Sequence, residues 1–579
     1  MTAQKNRPSE AEAAMKTFGG VTDNDTPGGY GSAIERLPLN QLIEEATTAY
    51  LAVLDPLSPP PPAEVERDLL VATNALIAQA NMGRPRVSQF RILQQLTFWQ
   101  VAQVLVLLRH VVNIAPGLNS DRDRDVLAVY CGSGPKEGIY LTSETDIRAV
   151  AREYDHLMTT AAAREVMAIL CEDAPRVVVN ADRDLVPMSN GIFNYATKEL
   201  LPFSPDHVFL AKAAVPLDPS ATSPVIRTPD GDDFEFLSWF VDVLDGDREL
   251  ATVVLQVIGA VLRPYVRWSK SAWFFSEQGN NGKGTLVELM RNLLGEQGYH
   301  SLPLADMGKD FMLEPLTRAN AIIVDENDVG QYIDRAANLK AIITNDVLMI
   351  NRKNKAAISY RFWGFMVQCL NEFPRVKDRS ESLYRRQLFV PFTKCFTGRE
   401  RRYIKDEYMG RADVLAFVAK YVLIDLPEYY ELDEPEASRR VLAEYKEFND
   451  PVRSFWSEHS DRFAWDLLPF PFLYEMYLAW FQRTNPSGSP IGRNVFVSNL
   501  KAVVQGSEQW EAVDKTRSAG RMDAPEHLIA EYDMESWMNP VYRVKGVRDL
   551  DKLCKPALAA SYRGIARTAS AFDAGEEVN

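Results

Sequence analysis

One short segment constrains this chain more than any other: residues 278–285, which read Gln-Gly-Asn-Asn-Gly-Lys-Gly-Thr. It follows the apolar run 272–275 and precedes a helical pattern, 285–294, that stops at Gly295. A strand, a glycine-rich turn with a lysine, and a helix together form the context of a phosphate-binding loop. Glycines let backbone N–H groups point at a phosphate, and the lysine and the helix N-terminus add positive charge. The segment therefore predicts a nucleotide-binding site in an α/β fold with a parallel sheet.

The loop departs from the common pattern G-x-x-x-x-G-K-[ST] at two positions. Glu277 stands where the first glycine is expected, and Gly284 stands where the hydroxyl residue is expected. Thr285 carries the hydroxyl one residue later, so we expect magnesium to be held mainly by another residue. The order Gly-Lys-Gly-Thr resembles that of adenylate kinases and of some phage helicases; a turn that binds nothing is the alternative. The predicted phosphate-binding residues are Gly279, Asn281, Gly282, Lys283, Gly284 and Thr285.

Composition and charge limit the classes of protein that fit. The 579 residues carry a formal net charge of −15, which argues against nucleic acid wrapped over the whole surface but not against a local basic channel. The longest apolar stretch, 98–115, contains Gln, Arg and His, so it predicts a buried helix and no membrane span. The polar N-terminus shows no signal peptide, and the scattered cysteines form no CxxC pair. These features favour a reducing cytoplasm without disulfides or a zinc site.

Two carboxylates, Asp325 and Glu326, follow the apolar run 321–324. Four apolar residues that end in acids are typical of a buried parallel strand, whose carboxyl end lies at the ligand-binding edge of the sheet. We expect Asp325 to hold Mg²⁺, together with the Thr285 hydroxyl, and Glu326 to orient and polarise an attacking water molecule. A strand end followed by a solvated turn is the structural alternative.

A third apolar run, 365–370, ends at Asn371, which we expect to sense the γ-phosphate and to position water. Arg385 and Arg386 then precede the strand-like segment 387–392. An arginine supplied to a neighbouring subunit's nucleotide stabilises the charge of the transition state, which requires a ring of subunits. Taken singly, the asparagine also fits a turn cap and the arginines fit a solvated strand start.

A basic segment lies between the second and third of these motifs. Residues 340–363 contain five Lys or Arg residues against the single Asp346, and two apolar runs flank a basic turn at 351–355. This pattern predicts a β-hairpin. Six such tips around the axis of a ring would form a positive collar for single-stranded DNA, although an ordinary exposed hairpin is the alternative. The predicted DNA-binding residues are Lys340, Arg352, Lys353 and Lys355.

Together the motifs resemble those of superfamily 3 helicases of phages, plasmids and large DNA viruses, in particular the phage and plasmid primase-helicase group. The resemblance covers residues 125–400 best and reaches more weakly over 450–567. Its upstream part lies in Ser189–Phe193 and in Leu201–Asp206. The motifs that carry it are Gly279–Thr285, Val324-Asp325-Glu326, Leu339-Lys340 with Thr344–Asp346, Asn371–Arg375, and Arg385-Arg386 before Phe392.

The resemblance implies a hexameric ring with an AAA+-like ATPase core that uses ATP and Mg²⁺ to move 3′-to-5′ on single-stranded DNA during replication. It also implies forked DNA as a substrate and, in the cytoplasm of a bacterial host cell, a separate primase or polymerase as a partner. Residues 1–125 show no zinc-ligand set and no acidic catalytic motif. We therefore expect a helicase without its own primase.

The same resemblance, combined with composition and periodicity, predicts the order of domains. A mainly helical N-terminal region and a C-terminal winged-helix-like domain flank the ATPase core. The predicted segments are a disordered N-terminus (1–35), a helical region with a proline-rich linker at 56–62 (36–125), the family's characteristic domain before the helicase (126–232), the ATPase core (233–400), a helical connector (401–450), and a winged-helix-like domain with a basic tail (451–579).

Two rival functions remain open at this point. A monomeric nucleotide kinase fits the Gly-Lys-Gly-Thr loop but gives no purpose to Asp325, Glu326 or Asn371. An initiator protein that uses ATP as an assembly switch fits the C-terminal part, where helices are predicted over 472–481 and 493–504. Arg493, Asn494, Lys501, Lys515, Arg517 and Arg521 are candidate DNA contacts there, or solvated surface.

Overall fold

The protein is described from a computed structural model. The description covers residues 37–117, 119–328, 332–333, 336–353, 355–376, 378, 380–484, 489–543 and 549–568. The predicted disordered N-terminus lies outside the described residues, as does part of the predicted basic tail. Among the described helices, none has both the length and the apolar character that a membrane crossing requires.

Helices occur along most of the described chain, and a π-helical turn, Tyr421–Asp425, continues the twelfth of them. In chain order they are α1 (Leu39–Leu51), α2 (Pro62–Asn81), α3 (Phe98–Leu108), α4 (Glu144–Glu153), α5 (Thr160–Asp173), α6 (Phe236–Val243), α7 (Arg248–Leu262), α8 (Lys283–Leu294), α9 (Ala336–Ile343), α10 (Glu381–Tyr384), α11 (Arg402–Asp406), α12 (Ala412–Lys420), α13 (Glu436–Asn449), α14 (Pro451–His459), α15 (Phe470–Thr484), α16 (Arg493–Val504), α17 (Leu528–Glu531) and α18 (Leu550–Leu553).

The strands are mostly short and form several separate sheets. They are β1 (Val112–Ala115), β2 (Val126–Tyr130), β3 (Tyr140–Leu141), β4 (Arg176–Val178), β5 (Leu185–Met188), β6 (Gly191–Asn194), β7 (Glu199–Leu201), β8 (Val225–Arg227), β9 (Asp233–Glu235), β10 (Ser271–Phe275), β11 (Tyr299–His300), β12 (Ala321–Val324), β13 (Tyr332–Ile333), β14 (Val347–Arg352), β15 (Lys355–Arg361), β16 (Phe365–Leu370), β17 (Arg375–Val376), β18 (Gln387–Pro391), β19 (Leu467–Pro469), β20 (Trp510–Arg517) and β21 (Ser561–Arg567).

The chain divides into two compact units, and each takes its residues from several stretches of sequence. The described residues of the first unit come from Met1–Asp328, Ala337–Leu370 and Phe392–Asp433. Those of the second come from Val329–Ala336, Asn371–Pro391 and Glu434–Asn579. The predicted ATPase segment 233–400 therefore contributes residues to both units, because a compact unit is defined by packing and not by continuity along the chain.

In the first unit, the predicted boundary at residue 125 is wrong, because one core crosses it. Strand β1 pairs antiparallel with β2 and parallel with β4. Leu69 and Leu105, from α2 and α3, share a buried cluster with Ile147 and Val166 from α4 and α5. β1 also lies inside the region predicted to be helical. All four of its residues are buried, and a short, fully buried apolar run has no periodicity that separates a strand from a helix.

The last residue of the proline-rich segment 56–62 is also the first residue of a helix. Pro62 is the first residue of α2, and Pro61 precedes it in an extended conformation, with φ −54° and ψ 140°. Proline fits the first position of a helix because the N–H group that it lacks has no partner within the helix there. The predicted stiff linker is thus shorter than the run of prolines.

Small β-elements and two helices lead to the central sheet of the first unit. Strands β5, β6 and β7 form an antiparallel sheet, and β8 pairs with β9. Helix α6 begins directly after β9, where the Glu235 carboxylate accepts hydrogen bonds from the backbone N–H groups of Leu237 and Ser238. Helix α7 follows and is buried along most of its length. The chain then enters β10, which precedes the phosphate-binding loop.

The central sheet of the first unit holds four parallel strands in the order β11-β12-β16-β10. Every residue of β10, β12 and β16 is buried, as expected for parallel strands that are covered on both faces. All four strands run in one direction, so their carboxyl ends lie along one edge. The loop at 276–282 and the acidic pair at 325–326 follow two of these ends.

The predicted basic hairpin is confirmed as strands β14 and β15, which pair antiparallel. The register is irregular near the tip, between Ile350 and Arg352. Leu348, Ile350 and Ile358 are buried, whereas Val347 is more than half exposed. The hairpin therefore packs with one side of β14 and presents the other side to solvent.

The second unit contains a helical and antiparallel domain with an aromatic core. After α14 the chain forms β19, α15, α16, β20, the short helices α17 and α18, and β21. The three strands form a sheet in the order β19-β21-β20. Trp465, Phe472 and Trp510 are buried in one cluster. The helices predicted around Phe472 and from Arg493 are confirmed as α15 and α16.

Candidate nucleotide site

The predicted phosphate-binding loop connects β10 to α8, so the predicted order of strand, loop and helix is confirmed. Gly282 precedes α8 with φ +88°, and a Cβ atom on it would lie 2.7 Å from Cγ1 of Val243 on α6. Both facts require glycine, because an L-residue disfavours this conformation and the space for its Cβ is filled. The end of helix α6 thus packs against the turn at Gly282. Sequence reasoning did not find the role of Val243.

Hydrogen bonds from the buried Asn281 side chain hold the loop in shape. Its Nδ2 donates to the carbonyl of Gln278 at 2.5 Å, and its Oδ1 accepts from the backbone N–H of Lys283 at 3.2 Å. Around Gly279 there is open space within 4 Å of where a Cβ would stand. A ligand can therefore approach the loop backbone at Gly279, whereas Asn281 acts as an internal brace.

Lys283 is buried and reaches across the carboxyl edge of the sheet. Its Nζ donates to the carbonyl oxygen of Ser276, after β10, at 3.2 Å, and to that of Leu370, at the end of β16, at 3.0 Å. Burial lowers the pKa of this ammonium group, and nearby Cys369 and Asp325 oppose that shift. The lysine thus ties two strand ends together at the place where a phosphate would lie.

Asp325 lies against the first turn of α8. A Cβ atom on Gly284 would stand 3.3 Å from Oδ1 of Asp325 and 3.1 Å from Nζ of Lys405 on α11. Lys405 Nζ and Asp325 Oδ2 are 4.0 Å apart, and about a third of the Asp325 side chain is exposed. The fold therefore brings the predicted magnesium ligand to the predicted phosphate-binding loop, where a side chain larger than that of Gly284 would crowd Asp325 and Lys405. Lys405 was not predicted, because no motif in the sequence marks it.

Glu326 and Asn327 continue this strand end in different environments. Glu326 is exposed, in keeping with a group that must face water. Asn327 donates from Nδ2 to Oε1 of Gln368 at 2.9 Å and accepts at Oδ1 from the backbone N–H of Leu304 at 2.9 Å. It therefore fixes the turn after β12 against β16, and sequence reasoning missed it although it follows the acidic pair directly.

A segment from Phe396 to Glu400, which we name the covering segment, lies over the apex of the loop. The backbone N–H of Phe396 donates to the carbonyl of Asn280 at 2.7 Å, and Nδ2 of Asn280 donates to Oε1 of Glu400 at 3.0 Å. Oε2 of Glu400 also accepts from the backbone N–H of Gly398 at 3.0 Å. These contacts hold the apex between the sheet and a surface turn that the sequence did not single out.

The remaining predicted catalytic residues belong to the second unit. Asn371 follows Leu370 directly, the residue whose carbonyl accepts from Lys283. Arg385 is exposed at the end of α10, whereas Arg386 is half-buried and donates to the Ser382 hydroxyl at 2.6 Å. Of the two arginines, Arg385 is thus the one that presents its side chain to solvent.

The predicted DNA-binding residues lie on the hairpin and on the helix before it. Lys340 is half-buried on α9, Arg352 is half-buried at the end of β14, and Lys353 is exposed at the turn. Lys355 begins β15, but its side chain lies outside the described residues, as does the neighbouring Asn354. The hairpin therefore groups Arg352, Lys353 and Lys355 at one tip, apart in sequence from Lys340.

Two family models match parts of the chain. Residues 274–386 match a family of unknown function, DUF5906, and residues 447–539 match the family described as poxvirus D5 protein-like. The first interval spans the loop, the acidic pair, the hairpin and both arginines. The second begins near the end of α13 and contains α14, α15, α16 and β20.

Solved structures of the C-terminal region of NrS-1 in the apo state also resemble the chain. One of them is 13% identical in sequence; the match covers 82% of this chain and 100% of the solved chain, with a TM-score of 0.42. Another is 13% identical, with coverages of 72% and 96% and a TM-score of 0.37. A likeness at this level carries no argument about fold or function.

Proposed function

We propose that this protein is an ATP-dependent replicative DNA helicase of a phage, prophage or mobile element, of the superfamily 3 type. It translocates on single-stranded DNA, 3′-to-5′, as a hexameric ring in the cytoplasm of a bacterial host cell. Single-stranded and forked DNA are its substrates, and a separate primase or polymerase is its partner. The D5-like match over residues 447–539 supports the broader class, a replication protein of primase-helicase type.

One observation carries the ATPase part of the proposal: the convergence of Lys283, Gly284 and Asp325. A buried ammonium group, a helix N-terminus at which Gly284 lies close to Asp325, and a carboxylate that is about one-third exposed meet at one edge of a parallel sheet. This is the arrangement that a nucleotide triphosphate with its metal ion requires. The core is therefore proposed to be an AAA+-like P-loop ATPase.

The residues present fit Mg²⁺, because the metal prefers oxygen ligands and commonly uses one or two carboxylates beside phosphates. Asp325 would hold it, with the Thr285 hydroxyl as a second ligand. When bound, Mg²⁺ would supply positive charge that neutralises the negative charge developing on the phosphates. Lys283 and the loop N–H groups would bind the phosphates of ATP. Glu326, which is exposed, would orient and polarise the attacking water.

Two further residues would complete the site. Asn371, next to the strand end that Lys283 contacts, would sense the γ-phosphate and position water. Arg385 would stabilise transition-state charge at the nucleotide of a neighbouring subunit, because its side chain is the exposed one of the pair. Arg386, which bonds to Ser382, would support the turn that presents it. The hairpin tip would contact the DNA backbone through Arg352, Lys353 and Lys355.

A second candidate function, an ATP-switched initiator that binds an origin without processive unwinding, is favoured by the C-terminal domain. The order α14, β19, α15, α16, β20 and β21, with the short helices α17 and α18 between the last two strands, and the β19-β21-β20 sheet support a winged-helix-like domain. Arg493 and Asn494 are exposed at the start of α16. A helix in this position is suited to contact duplex DNA.

The two functions are separated by ATP hydrolysis measured with and without single-stranded DNA. Wild type and Glu326→Gln are compared, with Glu165→Gln on α5 as a matched control at an exposed site. A motor requires turnover that DNA stimulates and that Glu326→Gln abolishes, while the control behaves as wild type. ATP binding with little turnover in wild type would contradict the motor and favour the switch.

A further inference from the structure

A groove crosses the opposite edge of the central sheet from the nucleotide site. It consists of two adjoining pockets, open to solvent, which share Trp363 and Gly364 as walls. Its lining includes the residues directly before strands β10, β12 and β16, which places it at the amino ends of those strands. The loop and Asp325 follow the carboxyl ends, and a five-residue strand spans roughly 17 Å between the two edges.

The groove carries positive charge, whereas the net charge of the whole chain is negative. Arg267, Lys270 and Arg318 line it, and none of the described residues that line either pocket is Asp or Glu. The whole chain, by contrast, contains 79 acidic residues against 64 basic ones. A groove whose charged lining residues are all cations, in an acidic protein, favours an anionic ligand.

Aromatic and guanidinium groups meet at the centre of the groove. The guanidinium carbons of Arg267 and Arg361 lie 5.7 and 5.9 Å from the ring centroid of the half-buried Trp363, and both arginines are exposed. Tyr265 supports the indole from the interior, with ring centroids 4.5 Å apart. Nucleic-acid bases stack on aromatic rings and on guanidinium planes, while phosphates pair with the same cations.

The loop before β10 is held in an unusual conformation that presents these cations. Tyr265, Arg267 and Ser269 have φ values of +73°, +57° and +54°, in the left-handed region that non-glycine residues rarely adopt. Two aromatic anchors fix it: Tyr265 donates its N–H to the carbonyl of Trp363 at 2.9 Å, and Trp268 donates from Nε1 to the carbonyl of Tyr429 at 3.1 Å. The side chain of Arg267, between the anchors, is left at the surface.

The groove also holds neutral groups able to contact a base. Nδ2 of Asn320, on its wall, is buried and has no hydrogen-bond partner among the described residues. Asn345 lines the second pocket, although its own Nδ2 donates to the carbonyl of Phe362 at 2.7 Å. The groove therefore offers an amide donor without a partner, cations and an indole side by side. A nucleotide has groups that match all three, whereas an acidic peptide does not.

The hairpin connects this groove to the predicted DNA contacts at its tip. Strand β15 begins at Lys355 and ends at Arg361, two residues before Trp363. Seven residues of strand span roughly 23 Å, a distance that a few nucleotides of extended single strand cover. The tip and the groove are thus two ends of one structural element.

We propose that the groove around Trp363 is a second binding site for single-stranded DNA, which receives the strand at the base of the hairpin. Arg267, Arg318 and Arg361 contact phosphates, and a base stacks on the indole and its neighbouring guanidinium groups. The choice of DNA as the ligand rests on the proposed function. The site itself is distinct from the nucleotide site and from the hairpin tip.

The experiment measures binding of fluorescein-labelled oligo(dT) to the full chain by anisotropy over a range of salt concentrations. Arg267→Glu and Arg361→Glu are compared with Arg164→Glu, an exposed arginine on α5 outside the groove. Each groove variant is expected to weaken binding and to lower the slope of log affinity against log salt by about 0.7, the value for one lost phosphate contact on a single strand. Thermal melting of each variant reports whether it is folded.

Three results would overturn the inference or its basis. Groove variants that are folded and bind as Arg164→Glu does would exclude the site while leaving the proposed function intact. Wild type that binds no oligo(dT) would contradict DNA as a substrate altogether. Hydrogen exchange of wild type is the check that needs no variant: oligo(dT) is expected to protect residues 266–270, and unchanged exchange there would also exclude the site.

Discussion

At the scale of single residues, the candidate nucleotide site combines a buried ammonium group with a carboxylate that keeps access to solvent. The Lys283 ammonium group is buried away from water and donates hydrogen bonds to two carbonyl groups at strand ends. Asp325 remains about one-third exposed beside Gly284. A phosphate that entered would replace carbonyl dipoles with full charges as the partners of Lys283, which strengthens the interaction at a buried position.

Lys405 extends this constellation, and its removal gives the first prediction. Because its ammonium group lies beside the N-terminal turn of α8, it is within reach of a phosphate bound there. Hydrogen bonds to charged groups contribute about 1.5–3 kcal/mol, so Lys405→Met is expected to weaken ATP binding by roughly 10- to 150-fold. Titration with a fluorescent ATP analogue measures the affinity.

The control is Lys309→Met, which removes an exposed lysine that pairs with Asp306 at 2.5 Å. It is expected to bind ATP as wild type does. Equal affinities for Lys405→Met and Lys309→Met would show that Lys405 serves only to pair with Asp325 in the absence of nucleotide.

His459 in the second unit gives a prediction about pH. The buried ring contacts the carbonyl of Phe455 and the hydroxyl of Tyr532, both at 2.8 Å, and burial lowers its pKa. The unfolded chain therefore binds the proton more readily than the folded one. The stability from this residue is fully present above the ordinary histidine pKa of about 6.5 and is lost as the pH falls below that value.

Thermal unfolding near neutral pH and near pH 5.5, about one unit below the ordinary pKa, measures this effect. His459→Gln is expected to melt at a lower temperature than wild type near neutral pH, since a buried hydrogen bond is lost, but to lose less stability on acidification. His156→Gln, at an exposed position, is the matched control. The same acid-induced loss in all three proteins would rule out His459 as the cause.

At the scale of elements, the loop and the hairpin were both predicted from local patterns, because each is specified by residues close together in sequence. The glycine-rich turn requires Gly282 at a left-handed position, and the hairpin follows from two apolar runs around a basic turn. What the sequence did not reveal is support from other elements. Val243 under the loop and the covering segment over it come from α6 and from the chain after β18.

The hairpin prediction concerns its tip. Arg352→Ala and Lys353→Ala are expected to weaken binding to oligo(dT) uniformly with respect to sequence, because phosphate contacts carry no base information. The double variant should lower the slope of log affinity against log salt by about 1.4, which is about 0.7 for each cation. Fluorescence anisotropy measures both quantities.

Arg164→Ala on α5 serves as the control for the loss of a surface charge. If the double hairpin variant keeps the wild-type slope, the tip does not contact the backbone of the strand. The groove around Trp363 would then have to account for binding by itself.

At the scale of the whole molecule, the division into two units separates motifs that are close in sequence. Asn371 and Arg385 belong to the second unit, whereas Lys283 and Asp325 belong to the first. Within the second unit, Phe373 and Tyr445 are in ring contact, with centroids 5.3 Å apart. The stretch that carries the predicted sensor and arginines is thus part of the same unit as α13, far along the chain.

A ring in which each site is completed by its neighbour predicts complementation between two inactive variants. Arg385→Ala lacks the arginine but keeps its own loop and acids, and Glu326→Gln has the reverse defect. In a mixed ring, an Arg385→Ala subunit can receive Arg385 from a Glu326→Gln neighbour. A mixture of the two is therefore expected to hydrolyse ATP faster than either variant alone.

A mixture of Lys283→Ala and Glu326→Gln is the control. Each of these changes disables the nucleotide site of the subunit that carries it, so a neighbouring subunit cannot restore activity. Hydrolysis is measured after the subunits have been allowed to exchange. A mixture of Arg385→Ala and Glu326→Gln that is as inactive as this control would contradict an arginine supplied in trans.

The sequence by itself determined the local features of this protein: the loop, the acidic strand end, the basic hairpin, and the helices around Phe472 and from Arg493. These follow from turn chemistry and from the periodicity of apolar residues, which act over a few neighbouring positions. The same information placed the ends of strands β10, β12 and β16 near one another, since parallel strands share an edge.

Only the tertiary structure decided which distant residues meet. The contact of Lys405 with Asp325, the core that crosses residue 125, and the groove around Trp363 all join segments far apart in sequence. Such contacts arise because packing and burial depend on shape in three dimensions, and no local pattern encodes them. For that reason the local elements of the candidate nucleotide site were predicted, whereas its supports and the second groove were not.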